Sequence, residues 1–170
     1  LFGQRTPPVE EVNSMKLEPL TSQAFAPFGE VVQAEGVAPV VTNQGYADRF
    51  NHLAEVVLTD GAAHVSLSHP KPRPRPISID LMERHPLGSQ LFMPLQDEDW
   101  LVVVCEDPLN AQTFRAFRAS GKQGVNYAPD IWHFPLLVLG QGQRFIVLDR
   151  KGPGHNLEEI WLEKPLTLAL

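Results

Sequence analysis

Two short stretches concentrate the side chains that could carry acid–base or metal chemistry. The first is Glu83-Arg84-His85-Pro86-Leu87-Gly88-Ser89-Gln90. Side chains alternate along a strand, so Glu83 and His85 share one face while Arg84 takes the other. The Pro-Leu-Gly turn reverses the chain and returns Gln90 to the same neighbourhood. A carboxylate and an imidazole can exchange protons or hold a metal, whereas an amide has no proton to exchange and suits a carbonyl or carboxylate. Taken alone, Glu83-x-His85 is more often a polar strand end facing solvent. The second stretch runs from Gln123 to Leu137 and sets His133 between Trp132 and Phe134. A histidine in such apolar company is commonly a hydrogen-bonded core residue. Read with the first stretch, it becomes a second imidazole for the same site, and imidazoles are the side chains that titrate near neutral pH.

Groups this far apart in sequence meet only if many short elements fold over one another. Turn signals recur every eight to twelve residues: Asp60-Gly61, Pro86-Leu87-Gly88, Ser120-Gly121 and Lys151-Gly152-Pro153-Gly154, the spacing of an all-β chain. Between them lie strand candidates at 30–33, 50–58, 64–68, 77–82, 90–94, 100–106, 124–127, 136–139, 145–149 and 159–162. Residues 113–119 fit helix or strand. One short helix is expected after Thr21 or Ser22 as N-cap, ended by Pro27 and Gly29. Pro70, Pro72, Pro74 and Pro76 alternate with Lys71, Arg73 and Arg75 and read as a solvated polyproline-like connector. The expected architecture is all-β, a β-barrel or jelly roll with one or two short helices. Residues 1–14, with Pro7-Pro8 and no apolar periodicity, read as a tail, and 15–170 as one domain.

Composition narrows the function classes. The chain has 170 residues, with 14 basic against 20 acidic side chains and a net charge of −6. That balance disfavours broad binding to nucleic acid or anionic lipid. No apolar run approaches the roughly 20 residues of a membrane helix. A single cysteine, Cys105, excludes an internal disulfide and a thiolate zinc site, and fits a reducing, cytoplasmic setting. The 16 prolines argue against long helices.

Jelly-roll cupins place His-x-His and then an acid on one hairpin and a further His on a later one. Glu83-x-His85, Gln90 and His133 fall in that order, with Glu for the first His and Gln for the acid. The chain also resembles a narrower family, the ureidoglycolate lyases (ureidoglycolate hydrolases) of allantoin degradation, from Met15 to about Glu159. The matching motifs are Glu-Arg-His-Pro-Leu-Gly-Ser-Gln at 83–90, Gln-Gly-Val-Asn-Tyr at 123–127, Trp132-His133, Pro135-Leu136, and Asp149-Arg150 followed by Asn156. The resemblance implies a cupin-like barrel, a homodimer, and cleavage of (S)-ureidoglycolate to glyoxylate and urea. A weakly held divalent ion such as nickel is implied near Glu83, His85, Gln90 and His133. Glu83, His85 and His133 become the expected catalytic groups, and Ser66, His69, Gln90, Asn126, Tyr127 and Trp132 the expected substrate binders. The apolar run Trp100–Cys105 either adds weak support for a dimer contact or is only core.

The chain departs from the family pattern at three places. Phe134 stands where the family reads a second His in Trp-His-His-Pro. Arg49-Phe50-Asn51 replaces Arg, an aromatic residue and His. His69 replaces the Arg of Ser-Ile-x-Arg, and only Arg keeps its charge and offers a bidentate fork. An active lyase is therefore the leading reading, and a silent family member acting as a small-acid binder or structural subunit is the second. A generic metal cupin is the third, and the Glu and Gln in place of cupin ligands argue against an oxygenase-type iron site.

Overall fold

A computed structural model describes residues 14–170; apart from Ser14, the expected tail lies outside the described residues. The chain opens with two short strands, β1 (Ser14–Met15) and β2 (Leu17–Pro19), then one helix turn, α1 (Ser22–Phe25). Thr21 caps that turn, its Oγ1 accepting the Ala24 amide at 3.1 Å. Next come β3 (Gly29–Val32), a hairpin of β4 (Val40–Thr42) and β5 (Ala47–Arg49), and β6 (Ala62–Ser68). The middle of the chain supplies β7 (Ile77–Arg84), β8 (Gln90–Pro94), β9 (Trp100–Cys105) and β10 (Phe114–Ala119). The last elements are β11 (Gly124–Tyr127), β12 (Trp132–His133), β13 (Leu137–Val138), β14 (Phe145–Lys151) and β15 (Glu158–Leu168).

The larger sheet runs β1-β15-β7-β12-β9-β10-β2, with β13 also on β9. Its two ends are one segment of chain: β1 pairs with β15 and β2 with β10, both in parallel. Residues 14–19 thus stitch the sheet into a nearly closed barrel. A second sheet, β3-β11-β8-β14-β6, packs against it, giving the expected cupin-like, mostly β architecture.

Strand β9 explains why there are two cores. Its even residues, Trp100, Val102 and Val104, join Phe25, Phe117, Val125, Tyr127 and Phe145 between the sheets. Its odd residues, Leu101, Val103 and Cys105, join Ile77, Ile79, Met82, Phe114 and Leu166 inside the curl of the larger sheet. A strand buried on both faces must be apolar throughout rather than alternating. The same burial corrects one expectation, since Trp100–Cys105 packs wholly inside its own chain and offers nothing to a dimer contact.

Residues 50–58 are also not a strand. His52 adopts a positive φ of 58°, which breaks an extended run. Side chains then hold the segment: Ser89 Oγ accepts the Val57 amide at 2.9 Å and Glu30 Oε1 accepts the Glu55 amide at 3.0 Å. Residues 113–119 resolve as strand, with Phe114, Ala116, Phe117 and Ala119 buried. The last strand runs far past residue 162, its register shifting between Trp161 and Leu166 at a bulge that accommodates Pro165.

Candidate active site

Long-range pairing assembles the site. Strand β12 inserts between β7 and β9, setting His133 opposite Glu83 on one side and Val104 on the other. Paired residues share a face, and Val104 belongs to the core between the sheets, so Glu83 and His133 point into that space. Tyr127, from the facing sheet, stacks on the His133 ring with centroids 4.1 Å apart and planes 11° apart. His85 follows β7, its ring centroid 5.3 Å from that of His133. One donor atom from each of Glu83, His85 and His133 lies within 4.8 Å of the others.

Hydrogen bonds fix which nitrogen each ring leaves free. His85 Nδ1 lies 2.8 Å from the Asn156 carbonyl and His133 Nδ1 2.9 Å from the Ile131 carbonyl. A carbonyl only accepts, so each ring donates from Nδ1 and its neutral form leaves Nε2 bare. Both Nε2 atoms are buried without a hydrogen-bond partner. His133 Nε2 lies 3.5 Å from Glu83 Oε1, too far for a well-made hydrogen bond and an ion pair only when the ring is protonated. Burial pushes the Glu83 carboxyl up, but His133 beside it and the positive charges of His133, His85 and Arg73 outweigh that and hold it below its ordinary 4.5. With both rings neutral, three lone pairs converge without a donor among them, an arrangement that a shared proton or a metal cation would relieve. Ligands at about 2.1 Å on one tetrahedral ion stand about 3.4 Å apart, so a pair at the 4.8 Å limit would close by about 1.4 Å, a movement within reach of side-chain rotation. The residues fit a divalent ion.

The surrounding wall is polar on one side and aromatic on the other. Gln90 is buried, its amide donating to Asp149 at 3.3 Å while its Oε1 has no partner. Burial, then the Glu83 charge, pushes the Tyr127 phenol far above its usual value, so it remains a donor. Ser66 pairs with Val147, which faces the same core. Three expected binders are not brought to the triad. Asn126 alternates with Tyr127 onto the outer face, where it ties Glu30 (2.7 Å) and the Glu55 carbonyl (2.9 Å). Trp132 alternates with His133 and stacks under Arg84 at 4.5 Å. His69 is exposed beyond the end of β6.

Two roles carried no signal beyond motif identity. Asn156 grips the turn after Glu83, taking His85 on its main-chain oxygen and the Leu87 amide on Oδ1 at 2.7 Å. Arg150 is buried and spends its donors on the carbonyls of Thr59, Asp60 and Pro153. Gly61 and Gly152 leave it room, since a Cβ at either would lie 2.7–2.9 Å from its guanidinium nitrogens. Arg84 likewise faces away, paired with Glu158 at 2.6 Å, as strand alternation requires. Cys105 is inert: burial, then Asp107, pushes its thiol up to about 12. A cavity of about 1020 Å³ lies elsewhere, between the β4–β5 hairpin and residues such as Met93 and Lys122. No helix among the described residues is long and apolar enough to cross a membrane.

Comparison with known proteins places these features in a family context. The sequence profile of the family described as Ureidoglycolate lyase matches residues 12–169. A ureidoglycolate lyase of Burkholderia mallei is 44% identical over 168 residues, spanning 94% of this chain and 99% of its own. Ureidoglycolate lyase 1 of Rhizobium meliloti is 45% identical over 157 residues, 91% of this chain and 92% of its own. The ureidoglycolate lyase of Pseudomonas syringae pv. tomato is 40% identical over 164 residues, 94% and 96% respectively.

Proposed function

The chain belongs to the ureidoglycolate lyase family, and from that membership we propose that it cleaves (S)-ureidoglycolate to glyoxylate and urea, as a carbon–nitrogen lyase of the amidine-lyase type in allantoin breakdown. The observation that carries the reading is the near full-length match combined with the convergence of Glu83, His85 and His133.

The substrate is a hemiaminal: one carbon bears a hydroxyl, a ureido nitrogen and a carboxylate. Cleavage removes the hydroxyl proton, forms the aldehyde carbonyl, breaks the carbon–nitrogen bond and returns a proton to the departing nitrogen. His85 and His133 offer two bare imidazole nitrogens, so one takes the hydroxyl proton and the other, in its protonated form, delivers one to nitrogen. Glu83, held ionised, stabilises whichever imidazolium forms. The Tyr127 hydroxyl would donate to a substrate oxygen and Gln90 Oε1 accept from a ureido N–H, with Ser66 on the same face. A divalent ion such as nickel, if held by Glu83, His85 and His133 with Gln90 Oε1 as a further ligand, would take up both Nε2 lone pairs, so its Lewis acidity toward a substrate oxygen would stand in place of acid–base work by the imidazoles.

The departures from the family pattern leave the triad intact. Phe134 turns into the second core, Asn51 lies in the coil after β5, and His69 is exposed. We further propose a homodimer, for which Val65 and Leu67, exposed on the outer face of β6, are available apolar surface. A cytoplasmic location is supported by the single unpaired, buried Cys105. The deciding experiment incubates purified protein with (S)-ureidoglycolate and measures both products. Glyoxylate and urea in equal amounts above the spontaneous rate are expected. Ammonia in place of urea would identify a different reaction. Light scattering that returns the monomer mass at micromolar concentration would remove the dimer.

A further inference from the structure

Gln90 carries a buried oxygen with nothing to accept. The residue is 9% exposed, its Nε2 donates to Asp149 Oδ2 at 3.3 Å, and its Oε1 has no partner among the described residues. Strand pairing sets where that oxygen lies. On one side Gln90 pairs with Tyr127, whose ring stacks on that of His133 with centroids 4.1 Å apart. On the other side β8 and β14 pair Leu91 with Leu148, so the register carries Asp149 to the position across from Gln90. Directly paired side chains share a face with their Cβ atoms about 4.5–5.5 Å apart. Tyr127, Gln90 and Asp149 therefore form one row across the smaller sheet, on the face that meets the imidazoles. The row ends at His64, exposed on the sheet edge. Asp149, half-buried beside it, is near enough to water to keep a charge that would be costly farther in, next to Glu83.

A carboxylate oxygen only accepts, so the end of the Gln90 amide that it holds must be the NH2. The amide is planar, and fixing its nitrogen on Asp149 turns its oxygen the other way, toward Tyr127 and His133. An amide free to rotate offers a donor or an acceptor; this one offers an acceptor alone. The neighbouring site atoms, a Glu83 oxygen and the two bare Nε2 atoms, also accept. A wall of acceptors suits a ligand end rich in N–H, and a ureido group carries N–H on both nitrogens. We propose that Asp149 is a positioning residue that turns the Gln90 carbonyl into the site, and that the pair selects ligands whose terminal nitrogen carries N–H. The inference deepens the lyase reading and rests on it for the identity of the substrate.

The test titrates the full chain calorimetrically with probes that have no scissile hemiaminal carbon. Hydantoate (N-carbamoylglycine) keeps the ureido group and the carboxylate, and N-acetylglycine replaces its terminal NH2 by a methyl at nearly the same shape. Wild type should prefer hydantoate by roughly tenfold to a hundredfold, because the methyl leaves Gln90 Oε1 buried and unpaired. Gln90→Met, of similar volume but without the acceptor, should bring the two affinities within about threefold. Asp149→Asn, nearly isosteric, lets the Gln90 amide turn either way. It should gain affinity for succinate, which presents a carboxylate where hydantoate presents its amide, by roughly threefold to tenfold. That gain should vanish when Gln90→Met is added. A gain that persists would come from the lost negative charge alone and would overturn the role of Asp149. Equal wild-type affinity for hydantoate and N-acetylglycine would overturn the proposal while leaving the lyase reading standing. A Gln90-dependent preference for hydantoate in a protein that releases no urea would do the reverse.

Discussion

The two imidazoles supply the most exacting test of the site. His133 is 1% exposed, stacks on Tyr127 and donates to the Ile131 carbonyl. The stack contributes about 0.5–1.5 kcal/mol and the hydrogen bond about 0.5–1.5 kcal/mol net. His133→Ala should therefore cost about 1–3 kcal/mol before any cavity contribution, against the roughly 5–15 kcal/mol of an ordinary domain, and the protein should still fold. His85 is only half-buried and keeps one hydrogen bond, so His85→Ala should cost about 1 kcal/mol. Turnover should fall far more, by roughly 10² to 10⁴ in each variant, the weight of a positioned acid or base. With ring centroids 5.3 Å apart, the two groups should act as a unit, and the double variant should lose little more than the worse single one. Independent groups would instead multiply, to a loss of roughly 10⁴ to 10⁸. Urea and glyoxylate release at saturating substrate, measured on variants whose melting curves show them folded, separates the cases. Near-wild-type turnover in either single variant would place the chemistry elsewhere, and a multiplicative double variant would refute the shared pocket.

Strand alternation gives a matched control: Arg84→Ala should cost about 1 kcal/mol of stability through Glu158 and Trp132 while turnover stays within a few fold. Asn126→Ala should likewise destabilise, by about 1–3 kcal/mol as Glu30 and the Glu55 carbonyl lose their partner, with KM unchanged; a large rise in KM would return Asn126 to the binding site. Glu83 has a folded pKa below its ordinary 4.5, so its contribution to stability is complete above that value and is lost as pH falls through the lower, folded one. The melting temperature of Glu83→Gln should fall less steeply than the wild type's on acidification below about pH 4.5; equal slopes would mean that the carboxylate is not held. Dialysis against chelator separates the two uses of the imidazoles: a loss of turnover restored by nickel would make them ligands, whereas full activity after exhaustive chelation would leave them as acid and base.

Much of this was legible from local pattern. Strands β8 and β11 begin and end where the turn residues put them, at Gln90–Pro94 and Gly124–Tyr127. The Glu83-x-His85 face and the outward Arg84 follow from period-two alternation alone. That rule also held information the sequence reading did not use. With His133 and Tyr127 inside, their neighbours Trp132 and Asn126 must point away, unless a bulge intervenes. What alternation could not supply was the position of β12. It is two residues long, and its pairing with both β7 and β9 joins segments about 50 and 30 residues away, contacts set by tertiary packing rather than local propensity. The β4–β5 hairpin was missed because its turn, Asn43-Gln44-Gly45, reverses the chain with Asn43 and Gln44 at positive φ. Gln44 is an unusual residue for that conformation, so the turn carries weak sequence signal.

The same two-faced geometry explains how the chain tolerates its departures from the family pattern. Strand β12 and the residue after it send one side chain to each core in turn: Trp132 and Phe134 pack toward the second core, His133 toward the first. A change at residue 134 therefore alters the packing behind the sheet without moving the imidazole in front of it, whose place is set by Ile131 and Tyr127. Phe134→His should therefore leave the Glu83–His85–His133 geometry and turnover close to wild type, while the polar ring in an apolar core costs about 1–3 kcal/mol of stability. A large loss of kcat in a variant that melts with the wild type would show that residue 134 does reach the imidazole.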